Sequence, residues 1–273
     1  GCENCCVDYF HHHRCSKSLL TVSNCCCVMI KKAITTVLFA NFLNAQETIQ
    51  LDRPDQTESV YVVPKNYLQT EMGFMFEKTN RENNHFHLPT ILWKYGFNDK
   101  VELRVITEFS LSTTPSSSVY ELQPISLGFK TSLLEEKGIF PKIAFIGKAE
   151  VRKSEILQRK TITPAFRFTF QNNFNPKTSL GYNLGMFWNE NLHETYIYTL
   201  ALGKSISPKL NYFVEIYGFV SPNQTADTRL NGGFTYLIND NFMLDTSSGI
   251  GLSEISAKYF FSFGLSYRLK LQK

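Results

Sequence analysis

Acids and bases stand on alternate residues through much of this chain, in stretches whose other face is apolar. Glu71, Glu102, Arg104, Glu108, Lys130, Lys148, Arg167, Glu215, Asp245 and Arg268 carry this pattern, with Glu77, Lys94 and Glu150 beside them. Charges of both signs on one face can line a polar path, or can pair across an interior and brace its wall. A second set, Asp52, Arg53, Asp55 and Glu58, falls in a polar lead over residues 46–65 that has neither helical nor strand period. Such a lead can enter an interior as a plug or act as a flexible tether.

Nucleophilic catalysis needs a serine or cysteine near a base, usually histidine. Past the first 45 residues the chain offers only His85, His87 and His193, all in or beside expected loops. His85 and His87 are expected to face opposite ways and so to make a poor pair. The chain contains no Gly-x-Ser-x-Gly elbow, no His-Glu-x-x-His and no phosphate-cradling glycine loop. No catalytic residue is expected, and no cofactor.

All seven cysteines precede Val28: Cys2, Cys5, Cys6, Cys15, Cys25, Cys26 and Cys27. With His11, His12 and His13 they superficially match zinc-ligand spacings, but no turn or strand pattern surrounds them, so no metal site is expected. Asn24 before Cys25 argues against lipid attachment, which needs a small residue there. The cysteine-free remainder suits an oxidising compartment. Within this region Met29-Ile30-Lys31-Lys32 opens a basic start, an apolar stretch follows from Ala33 to Leu43, and Asn44-Ala45 closes it. That is the form of a secretory signal peptide over 29–45, too short to span a bilayer. Residues 1–28 are then expected to be an upstream extension foreign to the exported protein.

The elements that must position the charges are strands. Tyr259, Phe261, Phe263, Leu265, Tyr267 and Leu269 alternate with Phe260, Ser262, Gly264, Ser266 and Arg268. Leu68, Thr70, Met72, Phe74 and Phe76 likewise oppose Gln69, Glu71, Gly73, Met75 and Glu77, and the two-residue period continues throughout. Twelve strands are expected, near 66–79, 86–97, 100–111, 122–134, 141–151, 161–172, 177–188, 194–205, 209–220, 229–238, 241–252 and 258–270. Tight turn chemistry at Asn98-Asp99, Glu136-Lys137-Gly138, Asn175-Pro176, Ser207-Pro208 and Asn239-Asp240 takes turns with looser polar stretches. Pro89, Pro124 and Pro164 are expected near strand ends, where a missing ladder donor is tolerated.

Aromatic residues make up 14% of the chain, with 23 Phe and 13 Tyr, yet no long apolar run occurs, which is what a barrel showing lipid every second residue requires. The expected fold is an all-β, transmembrane, antiparallel up-and-down β-barrel of about twelve strands over 66–273. A net charge of +4 with scattered Lys and Arg excludes a nucleic-acid stripe. The terminal order Ser262, Gly264, Leu265, Tyr267, Leu269 resembles the C-terminal signal read by the barrel-assembly machinery, so that machinery and outer-membrane lipid are the expected partners.

Asp52-Arg53-Pro54-Asp55-Gln56-Thr57-Glu58-Ser59, then Val63-Pro64-Lys65 and Gln69-x-Glu71-x-Gly73-Phe74, resemble a family of Bacteroidetes outer-membrane transporters named for the meta-pathway of phenol degradation. Phe166-Arg167-Phe168-Thr169-Phe170, Glu215-Ile216-Tyr217-Gly218-Phe219 and Gly232-Gly233-Phe234-Thr235-Tyr236 extend the resemblance to most of 46–269. It implies an outer-membrane channel of a Gram-negative cell for small hydrophobic or aromatic compounds. A structural or adhesive barrel without transport stands as the alternative, and a lipid-modifying barrel enzyme behind it.

Overall fold

The computed structural model describes residues 48–80, 82–154, 156 and 158–271. The expected extension 1–28 and signal peptide 29–45 lie outside the described residues. The described part is built of strands alone: β1 Tyr67–Lys78, β2 Asn84–Asn98, β3 Val101–Thr113, β4 Ser118–Leu122, β5 Ser126–Leu134, β6 Lys142–Ser154, β7 Arg159–Asn175, β8 Thr178–Trp188, β9 Glu194–Ser205, β10 Leu210–Val220, β11 Asp227–Asn239, β12 Phe242–Gly251 and β13 Tyr259–Lys270.

Apart from β4, which pairs with β3 alone, consecutive strands pair antiparallel, and β13 closes on β1 from Tyr67 opposite Lys270 to Lys78 opposite Tyr259. Closure satisfies the ladder groups within the wall everywhere except along the far edge of β4. The thirteen segments make twelve wall strands, because β4 and β5 both lie against β3. Phe109–Thr113 of β3 pair with β4, and Val101–Ile106 with β5. The break falls at 123–125, where Pro124 has no N–H to give. The fourth wall strand therefore starts at Ser118 rather than near residue 122.

Two other prolines lie within strands rather than at their ends. Pro89 occupies a bulge in β2, where the partners step from His87 opposite Ser110 to Thr90 opposite Glu108. Pro164 faces Ala149 of β6, but pairing between β7 and β8 stops at Ala165 opposite Phe187, so on that side its missing donor costs nothing.

The barrel inverts the distribution of a water-soluble protein. Glu71, Glu102 and Lys130 are 0% exposed, whereas Phe261 is 58% and Leu127 60% exposed. Strand period is the cause: partners directly across a ladder share a face, so one register puts Phe74 beside Phe263 outside and Glu71 beside Ser266 inside. The outer face is an apolar, aromatic-rich belt suited to lipid. Short connections such as 99–100, 176–177 and 240–241 gather at one end, and 79–83, 189–193, 221–226 and 252–258 at the other. The first is the turn end of the barrel and the second its loop end.

Candidate functional site: the lumen and its lead segment

Residues 48–66 run inside the barrel, in the half of the lumen nearer the turn end, before the chain enters β1. Ile49 N donates to Asp240 O at 2.9 Å, and Ile49 packs on Leu237 and Met243 with Leu51 alongside. At the other end of the segment Asn66 N donates to Gly96 O at 2.9 Å. Between these anchors the lead meets lumen-facing side chains from several strands.

Asp52 is the centre. Its carboxylate receives Lys94 Nζ at 3.0 Å, Lys130 Nζ at 2.6 Å and Arg104 Nη2 at 3.2 Å, from β2, β5 and β3. It also accepts from Ser59 N and Ser59 Oγ at 2.9 and 2.8 Å, which folds the lead into a loop around it. Burial alone would raise this carboxyl, but Lys130, Lys94 and Arg104 hold it well below the ordinary range. Glu71 in turn pairs with Lys94 and accepts the backbone N–H of Asp52 and of Arg53 at 2.9 and 3.1 Å. Three cations and two acids within one buried cluster thereby satisfy each other and the lead's backbone.

Arg53 turns the other way, to β12 and β13, where Nη2 donates to Asp245 Oδ1 at 3.1 Å and to Ser262 Oγ at 2.9 Å. It passes over Gly73 and Gly264. A Cβ on Gly73 would coincide with the guanidinium, and one on Gly264 would crowd Arg53 Nε at 2.8 Å. Glu215 on β10 accepts Gln56 N at 3.0 Å and Thr57 N at 2.7 Å. It also accepts the Thr57 hydroxyl, which lies 2.7 Å from Thr199 Oγ1. Asn183 on β8 makes a reciprocal pair with the backbone of Glu58, accepting at 2.7 Å and donating at 3.1 Å. The Glu58 carboxylate binds Arg104 and lies 3.8 Å from Arg167 Nη1. Burial opposes its ionisation, yet the two arginines lower it to about 2. Asp55 is the exception: burial, then the nearby Glu215, push its carboxyl well above the ordinary range. Farther along, Val63 N donates to Glu102 Oε2 at 2.7 Å.

The structure thus gathers Glu71, Glu102, Arg104, Lys130, Arg167, Glu215 and Asp245 around Asp52, Arg53 and Glu58. Three of the expected lumen residues lie apart. Glu108 is nearer the loop end, bonded to His87 Nδ1 at 2.8 Å and accepting from Thr90 at 2.7 Å. Arg268 sits at the turn end, donating to Asn241 Oδ1 at 3.1 Å with its guanidinium 5.2 Å from the centre of the Tyr67 ring. Lys148 faces a cavity on the loop side of the lead.

Sequence reading missed Thr57, Gln69, Asn183, Thr199 and Ser262, uncharged residues that do much of the lead's anchoring. Their position on the same strand faces as the charges was the available signal for the four in the wall. The expectation that His85 and His87 face apart is corrected. Two residues apart on a strand they share a face, and their rings lie edge to face at 4.6 Å. His85 Nδ1 is also 2.8 Å from Ser112 Oγ.

On the loop side of the lead a cavity of about 400 Å³ is floored by Gln56 and Glu58 and walled by charged and aromatic side chains of β6 to β10, among them Lys148, Arg167, Phe187 and Phe219. No group of three or more His, Cys, Asp or Glu suited to a metal ion occurs among the described residues.

Comparison with known proteins agrees with this architecture. A family model described as "Putative MetA-pathway of phenol degradation" matches residues 51–269. Among solved structures, an outer-membrane channel from Pseudomonas putida F1 superposes with a TM-score of 0.57 at 8% identity, over 80% of this chain and 99% of that one. The NanC porin superposes with a TM-score of 0.50 at 7% identity, over 74% of this chain and 100% of that one. At such identities the likeness is one of fold. Among curated proteins the chain has no match.

Proposed function

We propose that this chain, which belongs to the family described by the MetA-pathway of phenol degradation, is an outer-membrane channel for small apolar or aromatic compounds. The observation that carries the reading is how the lumen is obstructed. The wall closes strand to strand without any help from the lead, and the turn-end half is filled by one separate segment, residues 48–66, docked through side chains. A barrel that only needed bracing could fill its interior with wall side chains, as eight-stranded barrels do. Twelve strands enclose more than that, and a cavity of about 400 Å³ remains on the loop side. The family description and the names of the two solved relatives, a channel and a porin, support conduction by a barrel of this shape.

The same reading puts the protein in the outer membrane of a Gram-negative cell, with a source among Bacteroidetes suggested by the resemblance of the lead. Export by the 29–45 signal and insertion by the assembly machinery through the β13 pattern complete it. We assign the barrel no catalytic role. A sealed structural or adhesive barrel is the second reading, favoured by one observation, the buried ion pairs that hold the lead.

Planar-bilayer recording decides between them. Conductance is expected to be small for the intact chain and to rise severalfold when residues 48–65 are deleted. A deletion variant that still shows heat-modifiable gel mobility, and so is folded, yet remains electrically silent would rule out the channel.

A further inference from the structure

The lead takes up most of the charge in the turn-end half of the lumen, and what is left beside it has a definite chemistry. Of the charged groups around the loop-side cavity, Glu58 is held by Arg104 and Arg167, and Glu150 by Arg152 at 2.7 Å. Arg167 additionally donates to Gln56 O at 2.7 Å. Lys148, on β6, has no hydrogen bond or ion pair with any described residue. Its neighbours across the two ladders are Gly128 and Ala165, neither of which has a side chain that can accept from it. Lys148 and Ile146 border the cavity of about 400 Å³. Across the cavity stand Ile197, Phe187 and Phe219, all on the lumen face.

We infer that this cavity binds a small monocarboxylate with an apolar, ring-sized body, its carboxylate received by Lys148 and its body by Phe187, Phe219, Ile197 and Ile146. An unpaired ammonium beside apolar walls is a donor that one carboxylate satisfies. A dianion such as phosphate is disfavoured, because a single unpaired cation faces it while Glu58, Glu150 and, in the β8–β9 loop at the rim, Glu190 surround it. A neutral ring would leave Lys148 unsatisfied. Cavities of this size that combine apolar walls with a few convergent polar groups are the usual form of small-molecule sites.

This inference deepens the channel reading and rests on it for its biological meaning, but its test is separable. The refolded full-length barrel in detergent is titrated with sodium benzoate, benzyl alcohol and benzylammonium chloride by isothermal calorimetry, and the same probes are added during bilayer recording. Benzoate is expected to bind and to reduce current. Benzyl alcohol should bind at least about tenfold more weakly, and Lys148→Gln should weaken benzoate by a similar factor, the loss of one charge-assisted hydrogen bond. Lys148→Arg should restore most of the affinity. Gel mobility shows that each variant is folded; should Lys148→Gln not fold, Phe187→Ala, expected to weaken benzoate severalfold, carries the test. Benzylammonium binding as tightly as benzoate, or benzoate affinity indifferent to all the variants, would overturn the site. Binding without conductance in any form of the barrel would keep the site and remove the channel; conductance without binding would do the reverse.

Discussion

Asp52 shows how much one side chain can carry in a low-dielectric interior. Three cations from three strands converge on it, and none of them has room to reach water. Asp52→Asn would leave Lys94 with Glu71 and Arg104 with Glu58 but Lys130 with no acid nearer than Glu102 at 3.9 Å; removing one partner of a buried ion pair costs about 3 to 5 kcal/mol. The expected outcome is an undocked lead and raised single-channel conductance, with the barrel still heat-modifiable. Asp55 acts in the opposite sense. Its carboxyl is raised on docking, so the docked lead binds an extra proton there and docking tightens as pH falls through that raised value. Glu58 is lowered to about 2, so its contribution is complete above the free value of about 4.3 and fades as pH drops toward 2. Amide-exchange protection of the lead should therefore increase on acidification through the raised Asp55 value and collapse at the acid extreme. Asp55→Asn should flatten the first limb and leave the second. Protection that falls steadily throughout acidification would contradict this assignment.

Among the elements, β13 and β1 illustrate what alternation accomplishes. The outward residues of β13 are aromatic or aliphatic, and the inward ones are small wherever Arg53 and Asp245 approach, as at Gly264 and Ser262. Gly73→Ala should therefore displace Arg53 while leaving the ladder intact, and its conductance should match that of Arg53→Ala. A wild-type conductance in Gly73→Ala would show that the seat of Arg53 does not hold the lead. On the other face Phe261→Lys is expected to destabilise the barrel in lipid by about 2 to 4 kcal/mol, read from denaturant unfolding in vesicles, because a charge would then sit in the apolar belt. Alternation of this kind was plain in the sequence for β1, β3, β7 and β13. The interruption between β4 and β5 was not, because a proline in an alternating stretch marks a break or an end equally well. Nor was the bulge at Pro89, since bulge position depends on what β3 needs opposite it.

For the molecule as a whole, closure divides the problem in two. The wall satisfies its own backbone apart from the far edge of β4, so the lead is free to be a separate device, and deletion of 48–65 should alter conductance far more than it alters barrel stability. The barrel, its strand count and the sidedness of nearly every charge follow from a two-residue period and from turn chemistry, both local properties that sequence displays directly. Which charges meet does not. Asp52 and Lys130 are 78 residues apart and Arg53 and Asp245 are 192 apart, and each pair forms only because the ring closes and a segment without periodicity threads it. By itself the sequence determined that acids and bases would face one another inside a membrane barrel, because strand geometry sorts faces. Only the tertiary structure decided that the lead takes most of those charges for itself and leaves Lys148 over. Pairing in an interior is set by distances through space, and periodicity along a chain does not contain them.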